Sequence, residues 1–296
     1  MTGILLVDKP AGMTSHDVVD LIRKATGIRR IGHTGTLDPA ATGLLILCIG
    51  KATRLSEYLI GMDKTYEGIM RLGIVTDSYD LDGEVLEERA VPEFSMAELQ
   101  AACDGFTGSI EQMPPMVSAV KVGGERLYKL ARRGETVERP TRSVTVHEFQ
   151  VLGYDPPDVT VRVRCTRGTY VRSLCHDVGE QLGCGAVLAG LRRTWVGQHT
   201  VENARPVSAF QVRGDVEECL VSIDQALDLP VVSIRNSSRP QLANGAALIR
   251  TDLLDDCPVS EGWVQIKSES GQLLALGTML ASAAGLRVQP RRVLTQ

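Results

Sequence analysis

Six consecutive apolar residues, Leu44-Leu45-Ile46-Leu47-Cys48-Ile49, follow directly on the segment Gly32-His33-Thr34-Gly35-Thr36-Leu37-Asp38-Pro39-Ala40-Ala41-Thr42-Gly43. Such a run reads as a buried strand, and the glycine-, threonine- and proline-containing segment before it as an irregular loop that the strand supports. The two ionisable side chains of the loop, His33 and Asp38, are therefore displayed from a rigid base. Pro39 removes a backbone donor, fixes one dihedral angle and biases Asp38 toward an extended conformation. Taken singly, Asp-Pro is an ordinary turn and His33 an ordinary hydrogen-bonded loop residue; their joint setting makes them candidates for chemistry.

Net charge is −4, from 32 Lys and Arg against 36 Asp and Glu, but its distribution is uneven. Residues 75–98 hold eight acids and one arginine, whereas 121–142 and 162–205 each hold seven bases against three acids. Segregated charge lets one face meet a phosphate backbone while the acidic remainder keeps the chain soluble. Seven cysteines, odd in number and without a CxxC pair, read as reduced, mostly buried thiols of a cytoplasmic protein. They form no zinc ligand set with the histidines, and no signal peptide or membrane span is expected. Gly50-Lys51-Ala52-Thr53 invites a phosphate-loop reading that fails, because Leu45 stands where the first glycine is required.

Along the chain, residues 4–7 read as a short strand, and Thr14 with Asp17 as a capping box opening a helix that Gly27 closes. Lys9, beside Pro10 in a turn, is either ordinary surface or a phosphate contact. Residues 64–72 alternate as a strand in which Tyr66 is ordinarily a structural aromatic. Residues 77–93 read as an acidic surface loop or hairpin, and Ser95 with Glu98 as a second capping box. In residues 158–165 the alternation sends Val159, Val161, Val163 and Cys165 to one face and Arg162 and Arg164 to the other. Arg172 falls in the first turn of the next helix, where the helix dipole gives it no advantage, which points to a specific anionic partner. A second, small-residue helix is expected before Leu191-Arg192-Arg193. Past residue 228, short strand candidates suffice for a small barrel.

The loop from Gly32 to Gly43 resembles, without interruption, the catalytic loop of the tRNA pseudouridine synthase family that modifies uridine 55 in the T arm. Further family-like segments follow in the family's order: Leu6 to Ser15, Lys64-Thr65-Tyr66, Met113-Pro114-Pro115 to Tyr128, Arg167 to Arg172, and Gly183 to Arg193. The resemblance implies an α+β pseudouridine-synthase catalytic fold with a mixed, mostly antiparallel sheet and flanking helices, over 1–228. It also implies an RNA-clamping insertion at about 112–142 and a small β-barrel-like PUA domain over 229–296. By the same resemblance Asp38 is the catalytic residue; Tyr66, Tyr170, Arg172 and Leu191 form the substrate pocket; His33 fills the gap left by the flipped base; and Lys9 and Pro10 brace the loop. RNA contacts are expected from Lys121, Arg126, Lys129, Arg132, Arg133, Arg142, Arg192 and Arg193.

The implied reaction needs no metal or other cofactor: the N1 to C1′ bond of uridine is cleaved, the uracil turns, and C5 bonds to C1′. One carboxylate suffices, either as nucleophile at the sugar or as the base that forms a glycal, and the sequence leaves both routes open. The expected partner is the T-arm stem-loop of tRNA, met by a monomer with no obligate protein partner and no membrane. Two alternatives remain: a guide-dependent pseudouridine synthase within an RNA–protein complex, and a noncatalytic RNA-binding scaffold. Deleting residues 230–296 is expected to spare the chemistry.

Overall fold

The computed structural model describes residues 1–116, 118, 120–127, 133, 137–254, 261–282 and 285–294. Its strands, in chain order, are β1 Gly3–Lys9, β2 Ile31–His33, β3 Thr42–Ile49, β4 Lys64–Leu72, β5 Ile74–Thr76, β6 Val85–Glu88, β7 Gly108–Gln112, β8 Lys121–Val122, β9 Glu125–Arg126, β10 Arg142–Asp155, β11 Asp158–Cys165, β12 Ala186–Val196, β13 His199–Thr200 and β14 Arg205–Pro206. The helices needed below are α1 Ser15–Thr26, α2 Ser56–Gly61, α3 Met96–Asp104 and α4 Val171–Leu182. A mixed sheet runs β14-β1-β3-β12-β4-β11-β10-β7, with β2 added beside β3 and β13 beside β12. Most of its pairs are antiparallel; β12 lies parallel to β3, and β14 parallel to β1.

The continuous apolar run of β3 has a direct structural cause. Leu45, Leu47 and Ile49 pack toward α1 with Val18, Val19 and Ile22, while Leu44, Ile46 and Cys48 pack toward α2 with Leu55 and Leu59. A strand covered on both faces cannot alternate with polar residues. Farther along the sheet, Val159, Val161 and Val163 of β11 pack with Leu174, Cys175 and Val178 of α4 and with Leu99 of α3. Both expected capping boxes form: Thr14 with Asp17 starts α1, and Ser95 with Glu98 starts α3. Gly27 ends α1 at φ 73°, in the left-handed region where glycine is unstrained.

One expected element is different. The small-residue stretch before Leu191 is not a helix but the start of β12, reached through a turn at Gly183 and Gly185. The chain there returns so tightly across α4 that a Cβ on Gly179 would lie 2.1 Å from the Ala186 nitrogen. Small residues in this stretch serve close packing, which sequence periodicity does not distinguish from a helix.

The C-terminal sheet comprises β15 Val231–Ser233, β16 Leu248–Ile249, β17 Gly262–Lys267, β18 Leu273–Ser282 and β19 Gly285–Val293, in the order β15-β17-β18-β19-β16. Its own core includes Val232, Ile234, Val264, Ile266 and Val288. It is also docked firmly: Leu273, Leu276 and Leu294 join the cluster that holds Ile4, Leu55, Leu59 and Val196. Tyr58 meets Trp263 edge to face at 5.7 Å, Arg54 donates to the Val293 carbonyl at 2.7 Å, and Glu57 pairs with Arg292. Deletion of 230–296 therefore uncovers part of this cluster, and melting of the truncated protein is expected at least about 5 °C below the full chain. An unchanged melting temperature would show that the sheet is docked only loosely.

Candidate functional site

The loop bearing Asp38 is held at the residues on either side of it. Lys9, fully buried at its turn, donates from Nζ to the carbonyls of Pro10 at 2.8 Å, Met13 at 2.6 Å and Pro39 at 3.2 Å. Gly12 N–H also donates to Pro39 O at 2.9 Å. On the other side Leu37 is buried; its N–H donates to Ser15 Oγ at 2.8 Å, and that hydroxyl donates back to the Leu37 carbonyl at 3.1 Å. Lys9 is thus neither a surface lysine nor a phosphate contact, and Pro10 supplies one of its acceptors. Burial pushes the Lys9 ammonium below its ordinary value, with the Asp38 charge opposing the shift.

From behind, Arg193 is 2% exposed and donates Nε to the Leu44 carbonyl at 2.7 Å and Nη2 to the Gly35 carbonyl at 3.1 Å. This corrects the expectation that it faces RNA: β12 pairs parallel with β3 at Arg192–Thr42 and Arg193–Gly43, so the two arginines alternate in direction. Arg193 points inward under the loop. Arg192 points outward, where it meets Asp8 through two bonds of 3.0 and 2.8 Å. Gly43 is required at this crossing, because a Cβ there would stand 2.3 Å from the Arg193 carbonyl oxygen.

Asp38 opens on a cavity of about 270 Å³ whose lining includes Lys64, Tyr66, Tyr170, Arg172 and Leu191. Its carboxylate, about half exposed, lies 3.3 Å from Arg172 Nη2. Arg172 itself is almost buried, at 6% side-chain exposure, and its Nη1 donates to Asp80 Oδ2 at 2.8 Å. The guanidinium bridges two carboxylates, one from each of two loops, and its planar fork fixes the direction of both.

Sequence reasoning missed Asp80. It lies in the acidic loop between β5 and β6, whose cluster of Thr, Asp, Ser and Gly signals a turn but not what the turn packs on. Ser78 Oγ donates to Asp80 Oδ1 at 2.5 Å, and Thr76 Oγ1 to the Asp80 carbonyl at 2.8 Å. Tyr79 is held at φ 67° and stacks on His176 at 3.9 Å between ring centroids, while its carbonyl accepts from Leu188 N–H at 3.0 Å. His176 lies four residues after Arg172, on the same face of α4. The helix therefore grips two successive residues of the loop.

Tyr170 caps α4 and is fixed through its backbone by the Gln112 amide, which accepts from Tyr170 N–H at 2.8 Å and donates to its carbonyl at 3.0 Å. Tyr66, on β4 opposite Val163 and Arg193, is partly buried, and burial pushes its phenol above the ordinary value while the Arg193 charge opposes the shift. The phenol is therefore neutral near neutral pH. His33 closes β2 opposite Leu47, just outside the cavity lining, and its Nδ1 accepts from Gly35 N–H at 3.4 Å. Burial, then the Arg193 charge, pushes the imidazole down, leaving it neutral at neutral pH.

Lys64 is a second residue the sequence did not nominate by itself. It lines the cavity, is 6% exposed, and donates to the carbonyls of Ile60, at 2.7 Å, and Met62. Burial, aided by the Arg193 charge, pushes its ammonium from 10.5 down to about 8. The unfolded chain binds this proton more tightly, so the Lys64 contribution to stability rises with pH between those two values. The melting temperature of the wild type minus that of Lys64→Met is expected to grow by about 5 °C between about pH 7.5 and about pH 9.5. A constant or shrinking difference would contradict the burial argument.

Of the residues expected to meet RNA, Arg142 is exposed at the start of β10, and exposed Arg133 pairs with Glu125 at 2.7 and 3.0 Å. Lys121 and Arg126 face each other in the backbone register of the β8–β9 hairpin. Lys129 and Arg132 lie outside the described residues. No helix among the described residues is long and apolar enough to cross a membrane.

Residues 23–171 match the profile of the TruB family pseudouridylate synthase N-terminal domain, and residues 172–227 that of the tRNA pseudouridylate synthase B C-terminal domain. The chain is similar to tRNA pseudouridine synthase B of Clostridium novyi, 40% identical over 98% of this chain and 99% of that protein. It is also similar to the protein of the same name from Pseudomonas aeruginosa, 40% identical over 99% of this chain and 96% of the other. Among solved structures, a chain of a Cbf5-Nop10-Gar1 complex superposes with a TM-score of 0.77 at 27% identity, covering 99% of this chain and 85% of that one. The α+β fold, with its mixed sheet, flanking helices and curled C-terminal sheet, is shared with that structure. Matches across the whole chain, in sequence and in fold, place this protein in the TruB family of pseudouridylate synthases.

Proposed function

We propose that this chain isomerises uridine to pseudouridine in tRNA, acting on uridine 55 of the T loop with Asp38 as the group that acts at the sugar, as nucleophile or as base. The observation that carries this reading is one carboxylate, fixed on both sides in the backbone, set beside a nearly buried arginine at the wall of a cavity lined by two tyrosines and three leucines, Leu191 among them. A base held between Tyr66, Tyr170 and Leu191 presents its glycosidic bond to Asp38 only after leaving its stack in the RNA. Cleavage sends the N1–C1′ electron pair to the uracil; the ring turns; C5 bonds to C1′, C5 loses its proton and N1 is protonated, so the product is an isomer. Tyr66, a neutral phenol in the cavity lining, is the group assigned in this reading to relay the C5 proton, and His33 at the loop base is the one assigned to stack where the target base stood.

Affinity in this reading comes from the basic insertion at 112–142, with Arg142 and Arg133 at its described parts, and from the 229–296 module. The chain then acts in the cytoplasm as a monomer without a protein partner. The guide-dependent alternative is the weaker one: the curated relatives that match nearly end to end, at 40% identity, are named as tRNA enzymes, whereas the matched chain of the Cbf5-Nop10-Gar1 complex, a multi-protein assembly, is 27% identical. Because C5 must lose its hydrogen, tRNA carrying tritium at C5 of its uridines should release one equivalent per molecule when mixed with the purified chain. Absence of release would rule out the isomerisation.

A further inference from the structure

Among the described residues, four cationic side chains belong to the wall of the cavity that holds Asp38: Lys64, Arg167, Arg172 and Arg193. Three of them are committed to the protein. Lys64 donates to the carbonyls of Ile60 and Met62, Arg172 bridges Asp38 and Asp80, and Arg193 donates to the carbonyls of Leu44 and Gly35. Arg167 is exposed and makes no hydrogen bond or ion pair among the described residues. Its backbone is nevertheless fixed on both sides. Thr166 N–H donates to the Thr145 carbonyl at 2.9 Å, and Thr166 Oγ1 accepts from Thr145 N–H at 2.9 Å; beyond, Gly168 turns at φ 85° and Thr169 Oγ1 donates back to the Thr166 carbonyl at 3.0 Å. The guanidinium lies on the cavity side of this turn, since it belongs to the lining and its charge adds to burial in pushing the Lys64 ammonium down. Asp38 is the only acid of that lining among the described residues, and Arg172 already stands beside it.

Resting on the function proposed above, we propose that Arg167 binds a phosphate next to the target uridine and so holds that nucleotide out of its stack. A uridine entering this cavity brings chemically distinct parts. The uracil suits the aromatic and apolar wall of Tyr66, Tyr170 and Leu191, and the ribose must reach Asp38. What remains are the phosphates on either side of that ribose, each negatively charged and repelled by the Asp38 carboxylate. Arg167 is the one cation of the described lining without a protein acceptor, and its planar fork matches two phosphate oxygens. The contact forms only when the nucleotide has left its stack, so it favours the extruded state over the stacked one and offsets part of the cost of extrusion. Because the side chain is exposed, the bond is screened by water and salt.

The test is Arg167→Gln, measured for conversion of an unmodified T-arm hairpin with enzyme below saturation, over a range of salt concentrations. The rate constant is expected to fall about five- to 30-fold, the loss of one charge-assisted bond at an exposed position. Its logarithmic decline with salt should become shallower by about one unit of slope, as for one phosphate contact removed. Arg167→Lys, which keeps the charge without the fork, should fall between wild type and Arg167→Gln. Two further hairpins carry a neutral methylphosphonate, one on the 5′ side of the target uridine and the other on the 3′ side. One of them should slow the wild type by the same factor as the substitution and should slow Arg167→Gln no further, because both changes delete the same contact. A rate for Arg167→Gln within about twofold of wild type on the natural hairpin would overturn the proposal. So would an undiminished factor between wild type and variant on both methylphosphonate hairpins, since a side chain that acts through the fold is indifferent to the charge of one phosphate. Inactivity of the wild-type chain on the natural hairpin would instead overturn the function itself.

Discussion

Asp38→Asn should fold and bind tRNA like the wild type and form pseudouridine at least about 10⁴-fold more slowly. The fold is expected to survive because the loop is fixed through backbone groups of Leu37 and Pro39, by Ser15 and Lys9, and through Gly35 by Arg193. None of these bonds uses the Asp38 side chain. An asparagine of the same shape can still face Arg172, so the pocket keeps its geometry and loses only the carboxylate proposed to act at the sugar. Binding energy does not replace that group, since contacts made equally to substrate and transition state leave the chemical step unchanged. Chemical mapping that found the variant within about tenfold of wild type would remove Asp38 from the reaction.

Arg172 carries the second large expectation. Its guanidinium spans Asp38 at 3.3 Å and Asp80 at 2.8 Å and is nearly buried, so the two loops are located against one another by a single planar group. Arg172→Lys keeps the charge but reaches only one carboxylate at a time, and single-turnover conversion should fall about 10²- to 10³-fold. Arg172→Met should be at least as slow and also less stable by about 1–3 kcal/mol, because Asp80 keeps a largely buried carboxylate without its cation. Asp80→Asn should show a smaller defect of the same kind, about tenfold, since Arg172 then loses its shorter anchor while Asp38 remains. Near-normal conversion by Arg172→Lys would show that the bridge is dispensable.

What could be read from the sequence follows the range of the forces involved. The run Leu44 to Ile49 identified a buried strand because burial on both faces excludes polar residues, and the two capping boxes marked helix starts because they are local hydrogen-bond exchanges. Gly43 at the end of the loop and Pro39 beside Asp38 were legible for reasons of backbone geometry that hold in any fold. Asp80 was not legible. Its importance comes from a contact with a residue 92 positions later, set by how β5, β12 and α4 pack, and nothing in an acidic turn announces that. Arg192 and Arg193 were read as equivalent surface bases, whereas one step along a strand reverses a side chain and places one outside against Asp8 and the other beneath the loop. The docking of the C-terminal sheet on α2 escaped for the same reason: Tyr58, Leu59 and Trp263 each look like ordinary core residues until the two surfaces meet.

The isomerisation is tested most directly by nucleotide-resolution mapping of pseudouridine in an unmodified tRNA transcript after incubation with the purified 296-residue chain, with no other protein or RNA added. Complete conversion of one uridine, position 55 in the T loop, is expected, and none in a parallel reaction with Asp38→Asn. Conversion that required an added guide RNA or protein, or that persisted in the Asp38→Asn reaction, would contradict it.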